Sequence, residues 1–159
     1  MQDNSPPVFL PPDLVSDVLT YGTPDSLWHL PKDVFEPIWK RVTGRGIKAA
    51  ILDTGKSRHD VLPEPVEARS FVQGESWTDG NGHGTHCAGT VLGREGIGLA
   101  PAASLLVGKV LSNSGSGSSE AIAQGIQWAT DAGADIISMS LGSSSPYAPM
   151  QEALKYAWS

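Results

Sequence analysis

Short apolar runs and amphipathic segments alternate along the chain from about residue 31 onward. Residues 47–52 form a largely apolar run that leads to Asp53, and residues 104–111 form a second run of this kind. Such runs are typical of strands buried in a parallel sheet, and residues 67–72 and 135–142 predict two more strands. Because strands that alternate with helices form βαβ units, the pattern predicts an α/β fold with a mainly parallel sheet flanked by helices.

The segments between these strands predict helices. One follows Pro31, one begins near His83, one is capped by the hydroxyl of Ser118 and stops at Gly133, and the last begins near Pro149. The apolar faces of the first and third helices consist of Val34, Phe35, Ile38 and Trp39, and of Ile122, Ile126 and Ala129.

Residues 1–27 differ from the rest of the chain in their high proline content and their lack of periodicity. They are predicted to form an extended Pro-rich arm that lies on the surface or covers another feature. Residues 28–159 are assigned to a single domain. Within that domain, the Ser/Gly-rich residues 112–119 predict a flexible loop when they are considered alone.

Composition and charge narrow the class of protein. The chain is 40% hydrophobic and 18% charged with a net charge of -6, which is typical of a globular protein and argues against nucleic-acid binding. No apolar run is long enough to cross a membrane, and residues 1–4 do not begin a secretory signal. The single cysteine excludes an internal disulfide. The sequence does not determine the cellular compartment, since an intracellular protein and a processed secreted fragment would both show these features.

Asp53 and His83 are candidate catalytic residues, although each also has an ordinary structural interpretation. Functional groups gather at the carboxyl ends of parallel strands, where Asp53 lies, but an aspartate there can also cap a turn. His83 follows a Gly-rich loop at a predicted helix start, where the helix dipole disfavours a positive imidazole and keeps it available as a base. A lone histidine is more often a hydrogen-bonded core residue.

Two motifs taken together are far more specific than either residue. Residues 50–55 read Ala-Ile-Leu-Asp-Thr-Gly, and residues 82–90 read Gly-His-Gly-Thr-His-Cys-Ala-Gly-Thr. They resemble the Asp and His motifs of the subtilisin-like serine proteases (subtilases, peptidase family S8), and the similarity continues through residues 98–101, 107–111, 115–117 and 136–142. The resemblance covers residues 28–159. It implies a three-layer subtilisin-like fold, of which this chain would be the N-terminal portion, truncated before the C-terminal part.

The resemblance also implies roles for particular residues. Asp53 would orient His83, and His83 would remove the proton from a serine that attacks a peptide carbonyl to give an acyl-enzyme. Extended peptides or protein substrates would bind as an added strand between two edges of a cleft. The residues implied in substrate binding are Asn81, Leu111, Gly115, Ser116, Gly117, Ser140, Leu141 and Gly142.

Cys87 and the nearby histidines raise the question of a metal or thiol site. Cys87 lies four residues after His83, on the same helix face, and a small buried hydrophobe is its ordinary interpretation. The resemblance is to the proteinase K and thermitase-like branches, which implies that Cys87 lies beneath His83 without being the nucleophile. A zinc site of His83, His86 and Cys87 is disfavoured, because no Glu follows the first histidine. No metal site is therefore assigned.

Calcium is the one cofactor that the resemblance brings into consideration. The loop that wraps a tight calcium ion in bacterial subtilisins is missing here, since only residues 91–97 separate the His helix from Gly98. Asp60 matches one carboxylate of that site at most, which leaves too few oxygen ligands. No cofactor is therefore assigned, and calcium is left open.

The family's nucleophile lies in a Gly-Thr-Ser motif, and the sequence contains no such triplet and no matching oxyanion Asn. The chain is thus expected to be inactive alone, with a second chain supplying the remainder of the domain. The leading interpretation is a serine endopeptidase. The alternatives are a non-catalytic module that retains a peptide-binding cleft and, more remotely, a cysteine or metal hydrolase built on His83. A further hypothesis is that the arm of residues 1–27 blocks the cleft.

Overall fold

A computed structural model describes residues 7–9 (backbone only), 30 and 32–159. Its strands are β1 (Pro7–Phe9), β2 (Lys48–Asp53), β3 (Glu67–Ser70), β4 (Ser104–Lys109), β5 (Ser116–Ser118), β6 (Ile136–Ser138) and β7 (Gly142–Ser143). Its helices are α1 (Lys32–Trp39), α2 (His83–Leu92), α3 (Ser119–Asp131) and α4 (Ala148–Trp158). Among these described residues, no helix has the length and apolar content that crossing a bilayer requires.

The main sheet is parallel and has the strand order β3-β4-β2-β6. Successive side chains of β2 point to opposite faces, so the sheet carries two separate cores. Ala49 and Ile51 pack with Ala88 and Leu92 of α2, and the opposite face of the sheet packs against α3. The core on the α3 side is built from Ala50, Leu52, Leu106, Val110, Leu111, Ile122, Ile126, Trp128 and Ala129. Helix, sheet and helix therefore form three layers, as predicted.

The start of α3 follows the prediction from sequence. The Ser118 hydroxyl accepts a hydrogen bond from the Ala121 N–H at 3.0 Å and so satisfies one of the free donors of the first turn. Ile122, Ile126 and Ala129 are fully buried against the sheet. Trp128 of the same helix belongs to this core, and its indole donates to Glu67 Oε1 of β3 at 2.7 Å and so joins helix to sheet.

Helix α1 differs from its prediction. Val34 and Ile38 are 51% and 42% exposed, so half of the predicted apolar face points to solvent instead of being buried. Phe35 and Trp39 provide the contacts instead, with ring centroids 5.8 Å apart, and the Trp39 indole donates to the Leu99 carbonyl at 2.9 Å. The Trp39 indole thus links this short helix to the Leu99 carbonyl, and Phe35 packs against Trp39 within the helix.

The predicted strand of residues 135–142 is shorter than expected. Pairing with β2 ends at Ser138, after which the chain leaves the main sheet and forms β7. The predicted loop of residues 112–119 likewise contains a strand, β5. Both short strands pair with β1 of the N-terminal arm in a second, antiparallel sheet of order β5-β1-β7. The prediction of an extended arm concerns residues that, apart from Pro7–Phe9, lie outside those described.

Candidate active site

Asp53 is the last residue of β2, at the carboxyl end of the parallel sheet. It is 1% exposed, and its backbone carbonyl accepts hydrogen bonds from the N–H groups of Val110 and Leu111. The Thr54 N–H donates to Asp53 Oδ1 at 2.7 Å. A buried carboxylate needs such donors, because an unpaired charge is costly away from water. Asp53 is therefore held rigidly, with its carboxylate turned toward α2.

His83 is the first residue of α2. Its Nδ1 lies 2.8 Å from Asp53 Oδ1 and 3.0 Å from Oδ2. Because an ionised carboxylate can only accept, Nδ1 carries the proton and the lone pair of neutral imidazole lies on Nε2. Asp53 and His83, which are 30 residues apart in the sequence, thus form a carboxylate–imidazole pair. Nε2 of His83 is the basic nitrogen that remains available for proton transfer.

Gly84 allows α2 to approach the end of β2 this closely, and Gly55 allows the loop at Trp77 to approach it. A Cβ on Gly84 would lie 2.3 Å from the Gly55 carbonyl oxygen, and a Cβ on Gly55 would lie 2.3 Å from the Trp77 carbonyl oxygen. The atoms that these Cβ positions would meet belong to the backbone, so no side-chain rotation could make room. Gly84 is therefore required by the contact between the helix start and the strand end, and Gly55 by the contact between the strand end and the loop at Trp77.

Cys87 lies beside His83, with Sγ 3.8 Å from Nδ1 and 3.9 Å from Nε2. Burial is the main cause that raises the pKa of the Cys87 thiol to about 11, and the negative charge of Asp53 adds to it, while a hydrogen bond with Ser140 acts in the opposite direction. A thiol with this pKa is protonated at neutral pH and is a poor nucleophile. The cysteine-hydrolase alternative is accordingly disfavoured.

Asp53, His83 and Cys87 also form the one cluster of potential metal ligands that the described residues contain, with ligand atoms within 4.8 Å of one another. The set fits a metal poorly, since His83 Nδ1 is already bonded to Asp53 and the Cys87 thiol keeps its proton. His86 and the exposed Asp60 belong to no such cluster. The donor chemistry therefore suits proton transfer rather than metal binding.

The segments predicted to bind substrate lie on the two sides of β1, and the gap between β5 and β7 that β1 occupies is the predicted substrate groove. Ser116 and Gly117 belong to β5, and Gly115 precedes them in a turn with a φ of 79°. On the other side, Gly142 begins β7, and Ser140 lies next to Cys87 and so near the carboxylate–imidazole pair. β1 lies between these edges and pairs antiparallel with both: Phe9 is opposite Ser116 and Gly142.

The remaining predicted site residues occupy different positions. Asn81 is exposed, and its Nδ2 donates to the Asn113 carbonyl at 3.1 Å while its Oδ1 accepts from the His83 N–H at 3.3 Å. Leu111 is fully buried in the core on the α3 side. Leu141 is half-buried and packs against that same core. Asn81 thus links the helix start to the loop before β5, and the two leucines lie under the groove.

Three polar residues that support the site were not singled out from the sequence. Thr54 and Asp79 accept hydrogen bonds from backbone N–H groups at the start of α2, and their side chains also bond to each other. Lys109 is fully buried opposite Asp53, and its ammonium group bonds to the Thr54 carbonyl, Asn113 Oδ1 and Glu75 Oε2. A lysine within an otherwise apolar buried strand was the available signal, because such a charge requires partners.

Comparison with known proteins agrees with this geometry. The profile of the Subtilase family matches residues 44–158. Subtilisin Savinase from Lederbergia lenta is 49% identical over 123 residues, which is 74% of this chain and 45% of that protein. Thermitase from Thermoactinomyces vulgaris is 46% identical over 128 residues, covering 76% of this chain and 46% of thermitase.

A third relative, an alkaline protease from Shouchella clausii, is 49% identical over 123 residues, and the match covers 32% of that protein's length. The chain therefore spans less than half the length of these curated relatives. The matched part contains both members of the carboxylate–imidazole pair and both edges of the groove.

Proposed function

Because the chain belongs to the subtilase family, we propose that it forms part of a serine endopeptidase in which Asp53 and His83 activate a serine nucleophile. The observation that carries this proposal is the hydrogen bond between His83 Nδ1 and Asp53, which leaves the lone pair of Nε2 for a hydroxyl proton. The relatives named above are a subtilisin, thermitase and an alkaline protease, which supports the same activity.

In the proposed mechanism, His83 removes the proton of the serine hydroxyl as the oxygen attacks the peptide carbonyl. Asp53 keeps the imidazole in the correct tautomer and stabilises its protonated form. The protonated imidazole then gives its proton to the leaving amine, and water repeats the sequence to release the acid. The serine and the oxyanion donor are proposed to come from further polypeptide, in the same protein or in a second chain, so that these 159 residues alone hydrolyse little.

The groove between β5 and β7 is proposed to bind the substrate as an extended strand. Such recognition relies on main-chain hydrogen bonds, which accept many side chains and suit a protease of broad specificity. The position of β1 supports this, because an extended segment already pairs antiparallel with both edges there. The backbone spacing of the groove is thus suited to one added strand.

The same observation favours the second candidate, a module that binds extended peptides without cleaving them. A groove occupied by a strand needs no nucleophile, and only Asp53 and His83 argue for chemistry. The two candidates therefore differ in whether a reactive serine completes the site.

The deciding experiment treats the intact gene product with a fluorophosphonate probe and with a fluorogenic peptide. A protease is labelled and hydrolyses the peptide, and His83→Ala lowers turnover by up to about 10⁶-fold, the scale measured for the triad of subtilisin. His86→Ala, on the same helix but outside the site, serves as the matched control and keeps activity. Binding of the peptide without labelling or hydrolysis would favour the second candidate, and neither binding nor labelling would overturn both.

A further inference from the structure

The carboxylate of Asp79 has an unusual number of hydrogen bonds for a loop residue. Its Oδ1 accepts from the N–H groups of Asn81 and Gly82 and from the Thr54 hydroxyl, each at 2.9 Å. Its Oδ2 accepts from the Thr85 N–H at 2.9 Å and from the Thr85 hydroxyl at 2.6 Å. The residue is 6% exposed. Burial acts to raise the pKa of Asp79, but these hydrogen bonds outweigh burial and hold the pKa below its usual value.

These bonds replace a cap that α2 does not have. The N-cap residue is Gly82, which has a φ of 107° and no side chain to accept the first free N–H groups of the helix. Asp79 accepts the Thr85 N–H from outside the helix, and the Thr54 hydroxyl accepts the Gly84 N–H at 2.9 Å. The start of α2 is therefore capped by residues from the preceding loop and from the end of β2.

The Thr54 hydroxyl forms a second bond between the two motifs, next to the catalytic pair. Asp53 binds the His83 side chain, and the following residue of the first motif, Thr54, accepts from the N–H of the following residue of the second, Gly84. A hydroxyl has a single proton to donate, and here that proton goes to Asp79. The lone pairs of the Thr54 oxygen are thereby directed at the Gly84 N–H. Asp79 thus determines how Thr54 holds the residue next to His83.

We propose that Asp79 is a positioning residue that acts through Thr54 and Gly84 to hold His83 against Asp53. It makes no contact with the imidazole among its hydrogen bonds. Its effect is to fix the helix start, so that the Nδ1 to Oδ1 distance stays within hydrogen-bonding range. The proposal rests on the geometry of these five residues and stands whether or not the protein is a protease.

The test is the ¹H resonance of the His83 Nδ1 proton, followed in the intact protein labelled with ¹⁵N-histidine and assigned by its disappearance in His83→Gln. A proton held between imidazole and carboxylate exchanges slowly and resonates downfield, whereas a loosened one is lost by exchange with water. We expect Asp79→Asn to lose this resonance. Asp131→Asn is the matched control, since Asp131 also accepts from a hydroxyl, that of Tyr156, but lies far from the site, and it should keep the resonance.

A second pair of variants separates hydrogen bonding from packing. Thr54→Val keeps the shape of this buried side chain and removes the hydroxyl, while Thr54→Ser keeps the hydroxyl and removes a methyl group. The proposal expects the serine variant to keep the resonance and the valine variant to lose it. If the protein cleaves peptides, Thr54→Val and Asp79→Asn should also lower kcat by about tenfold or more with KM within about twofold.

Three results would overturn the proposal: a resonance that survives in both Asp79→Asn and Thr54→Val, one that is lost in Thr54→Ser, or one that is lost in Asp131→Asn. Should Asp79→Asn or Thr54→Val fail to fold, the Thr54→Ser protein decides alone. A retained resonance there supports the role of the hydroxyl, and a lost one refutes it.

Discussion

Replacing Gly84 by alanine tests how tightly the helix start is fitted to the strand end. The added Cβ would lie 2.3 Å from the Gly55 carbonyl oxygen, 3.0 Å from the Gly55 nitrogen and 3.1 Å from the Thr54 nitrogen. Ordinary van der Waals contact begins at 3.4 Å, so the start of α2 must retreat by about 1 Å. The Nδ1 to Oδ1 distance of His83 and Asp53, now 2.8 Å, would then exceed hydrogen-bonding range.

The energetic cost follows from two opposing effects. Overpacking a fixed backbone costs about 1–3 kcal/mol, and the gain from replacing a helical glycine by alanine is at most about 1 kcal/mol. We therefore expect Gly84→Ala to lower the free energy of unfolding by about 1–2 kcal/mol. Urea denaturation of the intact protein should show this as a lower midpoint with an unchanged slope.

Gly89→Ala provides a matched control on the same helix. A Cβ on Gly89 meets no described atom within 4 Å outside the helix itself, so that only the conformational gain remains. This variant should raise the free energy of unfolding by about 0.5–1 kcal/mol. The reasoning fails if Gly84→Ala is as stable as Gly89→Ala, or if it retains the downfield Nδ1 proton of His83.

Three further predictions concern the thiol, the arm and the acid limit of stability. Because the pKa of Cys87 is about 11, alkylation should be slow at neutral pH and accelerate about tenfold per pH unit as the solution becomes alkaline. Mercurials should inhibit any peptidase activity of the intact protein, and Cys87→Ala should keep that activity in their presence; loss of activity in a folded Cys87→Ala would make the thiol essential. Deleting residues 1–12, which include β1, should strengthen binding of an extended peptide measured by fluorescence anisotropy, and deleting residues 1–6 should not; equal affinities would exclude competition by the arm. Since the folded-state pKa of Asp79 lies below its unfolded value, its stabilisation is present above about pH 4 and is lost as the pH falls through the folded pKa. Denaturation of Asp79→Asn should therefore show a deficit at pH 7 that shrinks below about pH 4, and a deficit independent of pH would contradict this.

The main sheet and the position of Asp53 were predicted from sequence because each depends on a local pattern, whereas the pairing of Asp53 with His83 was implied only by the family resemblance. Side chains of β2 point alternately to the two buried faces of the sheet, which places Asp53 on the same face as Ala49 and Ile51, toward α2. An apolar run that ends in an aspartate predicts this position. The cap of α3 was equally local, since one hydroxyl and one N–H three residues apart define it. Features of this kind need no knowledge of distant partners.

The second sheet could not be predicted from sequence in the same way. Residues 116–118 read Ser-Gly-Ser, which has no intrinsic strand preference, and their extended form comes from pairing with β1, more than a hundred positions away. The strand predicted for residues 135–142 was too long for a related reason: its pairing with β2 ends at Ser138 although β2 continues to Asp53, and the chain then pairs with β1 at Gly142 and Ser143.

The support of the site was missed for a related reason. Asp79 lies in a polar, Gly-rich stretch that is typical of a solvated loop, and only the folded structure brings Thr54, Gly82 and Thr85 to its two oxygens. Lys109 is different, because its burial inside an apolar strand could have been questioned from the sequence. Its partners, however, come from loops 34 and 4 residues away and required coordinates.

The antiparallel pairing of β1 on both flanks has a kinetic consequence for any peptide that arrives from solution. A peptide cannot pair with β5 or β7 while β1 is paired with both, so β1 has to dissociate before the peptide binds. At high peptide concentration the observed association rate should then level off at the departure rate of β1 instead of rising in proportion. The plateau of the association rate measured by stopped flow would therefore give the dissociation rate of β1.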